Sequence, residues 1–382
     1  MGQVQRRCCS GEDRISGLPD ELLHVILVRL GSAHAAARSS VLSRHWRHVW
    51  AHLPELRLVA PREATPASFI NTVDATLGGY LAPTLEHLGV SISTDELDRD
   101  LGIPAGRIAP WLHFAVEHVV GELYLYLRLP QWFVQPESVV IREEVVLELP
   151  VCERAKQIRF FVAAYALATW LRPQASGLFM ALTCLKKGGY VRMEGSDITA
   201  LVCTQCPCLR DLSLSIELIV NFDVSISSNS LCTMVLHVSE TRRLEVVAPK
   251  LEEITVIIQP IEAHISAPKL VKVSWHGAYD PHLHRFVDVG RTLQLLRTFY
   301  HVATHGRSFL NETNKLPKYS HEQMQLVEFL SCNAGNLKRL LIKDDFCHSP
   351  KDLREKFHSI CHPNVKVEYY SRKGRQVPLI ES

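Results

Sequence analysis

The chain has 382 residues, of which 47% are hydrophobic and 21% are charged. This composition is typical of a folded protein and excludes a wholly disordered chain, and the length allows about two domains at roughly 100–200 residues each. The 42 Lys and Arg residues nearly balance the 40 Asp and Glu residues, so the net charge of +2 gives no global reason to bind nucleic acid or an anionic membrane.

The apolar runs and the cysteines of the sequence indicate its cellular compartment. No apolar run reaches the roughly 18–20 residues that a membrane-spanning helix needs, and the N-terminal residues lack the apolar stretch of a secretory signal. The 11 cysteines are odd in number and scattered, which favours reduced thiols. We therefore expect a protein of the cytosol, the nucleus or both, with no membrane partner.

The first predicted helix opens at Pro19, where a missing N–H costs nothing. Asp20 and Glu21 follow and place negative charge on the positive end of the helix dipole. The next apolar residues share one stripe at helical spacing: Leu22, Leu23, Ile26, Leu27 and Leu30. Gly31 ends the helix.

Two further helices are predicted before Pro54. An Ala-rich stretch, residues 33–40, forms the second, and the third begins near Val41. The apolar residues of the third helix share one face: Leu42, Trp46, Val49, Trp50 and Leu53. A unit of about 45 residues is small for independent stability. Its two tryptophans exceed what its own core needs, which predicts a partner surface.

These residues resemble a known family. Leu18-Pro19, the tract Val41-Leu42-Ser43-Arg44 and the Trp46/Trp50 pair are similar to the F-box of a large class of plant proteins. The resemblance covers residues 10–58. It implies three helices that dock on a Skp-type linker protein within a cullin–RING ubiquitin ligase. The implied linker contacts are Leu18, Pro19, Leu22, Ile26, Leu30, Val41, Leu42, Ser43, Trp46 and Trp50.

A short phrase recurs through the rest of the chain, with apolar residues three and five positions after an apolar residue. Its copies begin at Leu85, Val120, Leu209, Leu231, Leu251, Leu270 and Leu337. Two copies share the longer start Ala-Pro-Lys-Leu, at Ala248 and Ala267. This phrase is the strand segment of a leucine-rich repeat, in which alternating residues point toward the core of a stacked solenoid.

The repeats are degenerate. The Asn or Cys expected eight positions after the first Leu is replaced by Glu217, Gln259, Ala278 and Asp345, which predicts an irregular arc. The fold class is therefore α+β, with a three-helix F-box followed by an irregular α/β leucine-rich-repeat solenoid over residues 80–370. The resemblance to plant F-box proteins extends to this region, with a partial match to their FBD tail domain over residues 320–370.

Other candidate metal-binding, basic and catalytic motifs in the sequence are incomplete or absent. Cys203, Cys206 and Cys208 have metal-ligand spacing, but no second pair follows to complete a zinc site. The basic pairs Lys186-Lys187 and Arg242-Arg243 are isolated, and we expect them on solvated faces. The sequence contains no phosphate loop, nucleophile elbow or zinc-protease motif. We therefore expect no catalysis, no metal, no cofactor and no nucleic-acid partner.

The pattern and the resemblance together favour the substrate-recognition subunit of a Skp–cullin–F-box ubiquitin ligase. The F-box would bind the linker, and through it cullin and RING subunits, while the repeats hold an unknown target protein. Two alternatives stay open. The chain is a Skp-binding interaction protein outside a ligase, or its solenoid is a receptor for a small molecule.

Overall fold

The computed structural model describes residues 18–29, 44–61, 65–92, 105–128, 145–163, 169–189, 191–258, 260–276, 279–289, 291–300, 319–344 and 351–371. The helices are α1 (Asp20–Arg29), α2 (Arg44–Trp50), α3 (Pro66–Gly78), α4 (Ala105–His118), α5 (Gly195–Ala200), α6 (Tyr319–Asn333) and α7 (Lys351–Ile360). No helix in these ranges is long and apolar enough to cross a membrane.

The strands are numbered in chain order. They are β1 (Glu55–Val59), β2 (Leu85–Ser91), β3 (Val119–Arg128), β4 (Val145–Leu149), β5 (Gln157–Ala163), β6 (Thr169–Pro173), β7 (Cys184–Gly189), β8 (Val191–Met193), β9 (Asp211–Leu218), β10 (Asp223–Ser227), β11 (Thr233–Ser239), β12 (Arg243–Val247), β13 (Glu253–Val256), β14 (Glu262–Ser266), β15 (Lys272–His276), β16 (His284–Val287), β17 (Leu295–Tyr300), β18 (Arg339–Asp344) and β19 (Lys366–Ser371).

Fifteen of these strands form one main sheet. Its path runs β1-β2-β3-β5-β7-β9-β11-β13-β15-β17-β18-β19, and β4, β6 and β8 branch from it. Every pairing within this sheet, among the residues that the structure describes, is parallel. Strands that follow one another in parallel need a crossover for each step, so the chain advances along the sheet turn by turn.

The recurring phrase falls on the strands of this sheet. In β9, for example, the buried residues Leu212, Leu214, Ile216 and Leu218 alternate with more exposed ones. Leu209, the first residue of that copy, is buried just before the strand. Alternate residues of a strand point to opposite faces, so one face of the sheet lines the core and the other faces solvent.

A second sheet was not predicted from the sequence. Strands β10, β12, β14 and β16 pair in parallel and alternate along the chain with β9 to β17 of the main sheet. Their buried side chains form matched columns, such as Ile226, Val246, Ile265 and Phe286. The core of this region therefore lies between two parallel sheets.

The main sheet also begins earlier than the sequence pattern placed the repeats. Strand β1, which lies well before residue 80, pairs with β2. The buried residues Leu53, Leu56 and Leu58 repeat the apolar phrase directly after α2. The predicted second F-box helix, residues 33–40, lies outside the described residues, as do Gln259, Ala278 and Asp345.

Candidate functional site

Helix α1 has two apolar faces in the structure. Leu23 and Leu27 are buried at 0% and 2% exposure and belong to the core. On the other side, Leu22, Val25 and Ile26 are 50%, 49% and 39% exposed. Residues three and four apart are neighbours on a helix surface. These three side chains therefore form one exposed aliphatic patch, which we call the α1 stripe.

Polar contacts hold α1 against α2. The carbonyl oxygen of Pro19 accepts hydrogen bonds from the amides of Leu22 and Leu23 and so begins the helix. The His24 ring nitrogen Nε2 lies 3.1 Å from the carbonyl oxygen of Val49. The His24 contact joins α1 to α2, and the α1 stripe faces outward.

The predicted linker contacts do not all share this surface. Leu22 and Ile26 lie in the α1 stripe and Pro19 is exposed, whereas Leu18 is partly buried against the core. Val25 was missed by the sequence analysis, although its spacing of three residues from Leu22 signals the same face. Four other predicted contacts lie outside the described residues: Leu30, Val41, Leu42 and Ser43.

Both predicted tryptophans lie on the inner side of α2. Trp46 is only 3% exposed, and Trp50 is partly buried against the core. In this structure the two rings therefore contribute to packing within the chain. Their contact with a linker protein stays a prediction.

Helix α2 joins the main sheet through a very short connection. Residues 51–54 alone connect α2 to β1. The Tyr80 hydroxyl lies 2.9 Å from the carbonyl oxygen of Leu53 and 2.8 Å from that of Thr84, and donates to one of them at a time. Burial raises the pKa of Tyr80 to about 12, so this donor keeps its proton at neutral pH. The α1 stripe and the sheet are therefore parts of one packed unit.

The backbone of Gly79 lies close to the Trp50 ring of α2. A Cβ atom there would lie 2.9 Å from Cη2 of Trp50 and 3.2 Å from the carbonyl oxygen of Ala75. We expect Gly79→Leu to displace the Trp50 ring and to lower the free energy of unfolding by about 1–3 kcal/mol, the usual cost of overpacking. Thermal unfolding measures the effect.

Gly78 is the matched control, because a Cβ atom there meets no atom within 4 Å. Gly78→Leu should leave the melting temperature unchanged or raise it, since Gly is a poor helix former. Equal melting temperatures for the two variants would contradict the packing of Trp50 on Gly79.

The solvent-facing side of the main sheet is a second candidate surface, which we call the sheet face. Near its N-terminal end the rings of Tyr126 and Phe161 stack with centroids 4.7 Å apart and planes 2° apart. A Cβ atom on Gly188 would lie 2.7 Å from Cδ2 of Phe161, so the glycine makes room for this ring. Partly exposed aromatic residues are enriched at protein interfaces.

Ion pairs organise the charges of the sheet face. Glu122 lies between two side chains, 3.2 Å from His87 Nδ1 and 3.0 Å from Arg159 Nε. At the C-terminal end, Glu368 contacts Arg339 at 2.9 Å and Lys366 at 3.0 Å. The hydrogen bonds from these two cations hold the pKa of Glu368 down at about 2.

Comparison with known proteins identifies the N-terminal unit. The family model for the F-box domain matches residues 15–58, which include α1, α2 and most of β1. The chain is 37% identical to F-box protein At5g03100 of Arabidopsis thaliana, over 29% of the chain and 32% of that protein. It is 34% identical to F-box/LRR-repeat protein 25 of the same plant, over 30% of the chain and 39% of that protein.

This chain carries an F-box domain at its N-terminus. A longer match, at 26% identity, relates 68% of the chain to 59% of the FBD-associated F-box protein At3g52670 of Arabidopsis thaliana. The matches to the first two relatives span about a third of the length of each.

The three closely spaced cysteines differ in burial. Cys206 is buried, and its burial raises the pKa of its thiol to about 12. Cys203 Sγ accepts a hydrogen bond from the Ser227 amide at 3.1 Å, and Cys208 is exposed. The part of the chain that the structure describes holds no group of three or more residues placed to bind a metal.

His284 occupies a core position of β16, whereas His282 is exposed. Its Nδ1 accepts a hydrogen bond from the Asp280 amide at 3.0 Å, and its Nε2 lies 3.1 Å from the carbonyl oxygen of Pro260. Burial lowers the pKa of His284. Since both ring nitrogens have partners, this histidine connects neighbouring turns of the chain.

One expectation about charge was wrong. Lys186 is exposed as predicted, but Lys187 is only 4% exposed. Its register partners are Phe160 and Leu214, both buried, so the lysine occupies an apolar column of the core. Its Nζ has no hydrogen-bond partner in the described part of the chain. Burial lowers the pKa of Lys187 well below its usual value, and the charge of Asp197 opposes this to a smaller extent.

Proposed function

We propose that this F-box protein is the substrate-recognition subunit of a Skp–cullin–F-box ubiquitin ligase. F-box domains generally bind Skp-type proteins. The α1 stripe is the single observation that carries the proposal, because its three aliphatic side chains belong to the F-box and are not covered by the rest of the described chain. Exposed apolar groups of this kind mark interaction sites.

The α1 stripe offers useful binding energy. Burying a fully exposed aliphatic side chain contributes about 1.5–3 kcal/mol. Leu22, Val25 and Ile26 are each roughly half exposed. Covering all three would therefore contribute on the order of 2–4 kcal/mol to association with the linker.

In this proposal the main sheet is an irregular leucine-rich-repeat solenoid, and the sheet face holds a target protein. The chain itself is a non-catalytic adaptor. It raises the effective concentration of a target lysine near a ubiquitin-conjugating enzyme carried by the cullin and RING subunits. The short connection between α2 and β1 supports this role, since it holds the target in a fixed orientation relative to the linker.

The test is co-expression of the full chain with a plant Skp-type protein and cullin, followed by size-exclusion chromatography. The ligase proposal expects all three proteins in one peak. Co-elution with the Skp-type protein but not with cullin would favour the alternative of an interaction protein outside a ligase. A soluble, folded chain that binds neither protein would overturn both.

The alternative of a small-molecule receptor rests on one cavity. It has a volume of about 470 Å³ and is lined by Phe286, Asp288, Arg291 and Phe329, among others. This volume is within the range of ligand sites. However, Asp288 and Arg291 are both exposed, so their charges are available to water. We therefore rank this function below target-protein binding.

A further inference from the structure

The C-terminal part of the sheet face carries a patch of cationic and aliphatic side chains. Its members share the solvent-facing side of β15, β17, β18 and β19. They are Lys272, Leu295, Arg297, Arg339, Leu341 and Lys366. We call them the β15–β19 patch. The four cations are exposed, and the two leucines are partly exposed.

The strand register makes these residues neighbours. Lys272 pairs with Leu295, which pairs with Arg339, which pairs with Lys366. Because adjacent strands are about 4.8 Å apart, this row spans roughly 14 Å. In the next row, about 6.6 Å along the strands, Arg297 pairs with Leu341. Leu295 therefore lies between Lys272 and Arg339, and Leu341 lies between Arg297 and Glu368.

The β15–β19 patch has an excess of positive charge. Glu253 forms an ion pair with Lys272, and Glu368 contacts Arg339 and Lys366. Arg297 has no carboxylate partner among the residues that the structure describes. Near the other end of the sheet face, Arg57 differs from Arg297 because it forms an ion pair with Glu55 at 3.0 Å.

Glu368 also fixes the two cations at the sheet edge. Its side chain is only 4% exposed and accepts a hydrogen bond from the Tyr370 hydroxyl at 2.8 Å. Because the carboxylate lies beneath Arg339 and Lys366, it orients them while presenting little negative charge to solvent. Side chains that are already ordered lose less conformational entropy on binding.

We propose that the β15–β19 patch binds an acidic segment of the target protein in which carboxylates alternate with apolar side chains. This proposal rests on the proposed function in one respect only, which is that the bound segment belongs to a target protein. The patch and its chemistry do not depend on the linker. Carboxylates would pair with Arg297 and the edge cations, while apolar side chains would cover Leu295 and Leu341. Electrostatic complementarity of this kind gives specificity and fast association.

A protein segment is favoured over a nucleic acid. Single-stranded nucleic acids bind through aromatic rings on which bases stack, combined with a basic groove. The uncharged members of the β15–β19 patch are leucines, which suit aliphatic or aromatic side chains of a protein. An oligonucleotide is therefore included in the test as a competing ligand.

The experiment measures fluorescence anisotropy with the purified full chain and four labelled probes of equal length. Three are 12-residue peptides with leucine at fixed positions and glutamate, glutamine or lysine elsewhere, and the fourth is a 12-nucleotide single-stranded DNA. We expect the glutamate peptide to bind most tightly. Its affinity should fall as salt rises from 50 to 300 mM, since salt screens exposed charges.

Arg297→Glu tests the location. We expect it to weaken binding of the glutamate peptide by about tenfold, which corresponds to about 1.4 kcal/mol. The matched control is Arg285→Glu on β16, an exposed arginine of the second sheet with the same charge change. Circular dichroism confirms that both variants are folded, and Arg297→Gln, which only removes the charge, gives a milder loss.

Three results would overturn the proposal. They are equal affinity for the glutamate and glutamine peptides, tighter binding of the DNA, and equal effects of Arg297→Glu and Arg285→Glu. None of them depends on a Skp-type protein. A chain that binds the glutamate peptide but no linker would overturn the proposed function alone, and the reverse would overturn the β15–β19 patch alone.

Discussion

Leu22→Glu combined with Ile26→Glu is expected to weaken binding to a Skp-type protein by at least about 100-fold, since hot-spot residues contribute about 2 kcal/mol or more each. Both side chains lie in the α1 stripe and leave the core of Leu23 and Leu27 untouched. The substitutions replace apolar contact with two carboxylates that would lose their hydration in the interface. Isothermal titration calorimetry with the purified linker measures the loss.

The control for this variant is Val247→Glu. Val247 is 45% exposed, close to the exposure of Leu22, but lies on β12 of the second sheet. We expect the control to bind the linker as the natural chain does. If Leu22→Glu with Ile26→Glu binds normally while the chain stays folded, the α1 stripe is not the docking site.

Deleting residues 1–60 is a poorer test of the same idea. The deletion would remove β1, which pairs with β2, and the Trp50 ring, which packs on Gly79. It would therefore expose the edge of the main sheet and part of its core. A loss of binding by such a fragment would not separate docking from unfolding, whereas the surface substitutions do.

Lys187→Met is expected to stabilise the chain by about 1–3 kcal/mol at neutral pH, the cost of a buried polar group that lacks a partner. Methionine has a similar length, carries no charge and adapts well to apolar surroundings. It would fill the column between Phe160 and Leu214. Urea unfolding at pH 7 gives the difference in free energy of unfolding.

The adjacent Lys186→Met is the matched control, because Lys186 is exposed on the same strand. Substitutions at such surface positions change stability by about 0.5 kcal/mol or less. A destabilising Lys187→Met, or equal effects at both positions, would show that the Lys187 amine is not isolated in an apolar core.

The Lys187 effect should also depend on pH. Its folded-state pKa is lowered, so between that pKa and the ordinary lysine value the unfolded chain binds one more proton than the folded chain. The natural chain therefore gains stability from this group as pH rises toward about 10.4. The advantage of Lys187→Met should shrink between pH 7 and pH 9.5. If the stabilisation by Lys187→Met grew with pH, the pKa of Lys187 would not be lowered in the folded chain.

The sequence by itself determined the local elements. The apolar spacing of α1 and the recurring phrase each reflect a period, helical or extended, that a short stretch of residues sets alone. The strands at Leu212, Ile254 and Leu340 therefore fall where the phrase predicted. The phrase is incomplete at Leu182 and Leu185, because Lys187 occupies its third apolar position.

Only the tertiary structure decided which surfaces are covered. Leu22 and Leu23 are equally apolar, yet one faces solvent and the other the core, because packing against α2 selects one face of α1. The burial of Lys187 likewise follows from its register between two other strands. The same pairing brings Arg297 beside Leu341, 44 positions further along the chain. Such neighbours depend on contacts between distant segments, and a local pattern of residue types does not contain that information.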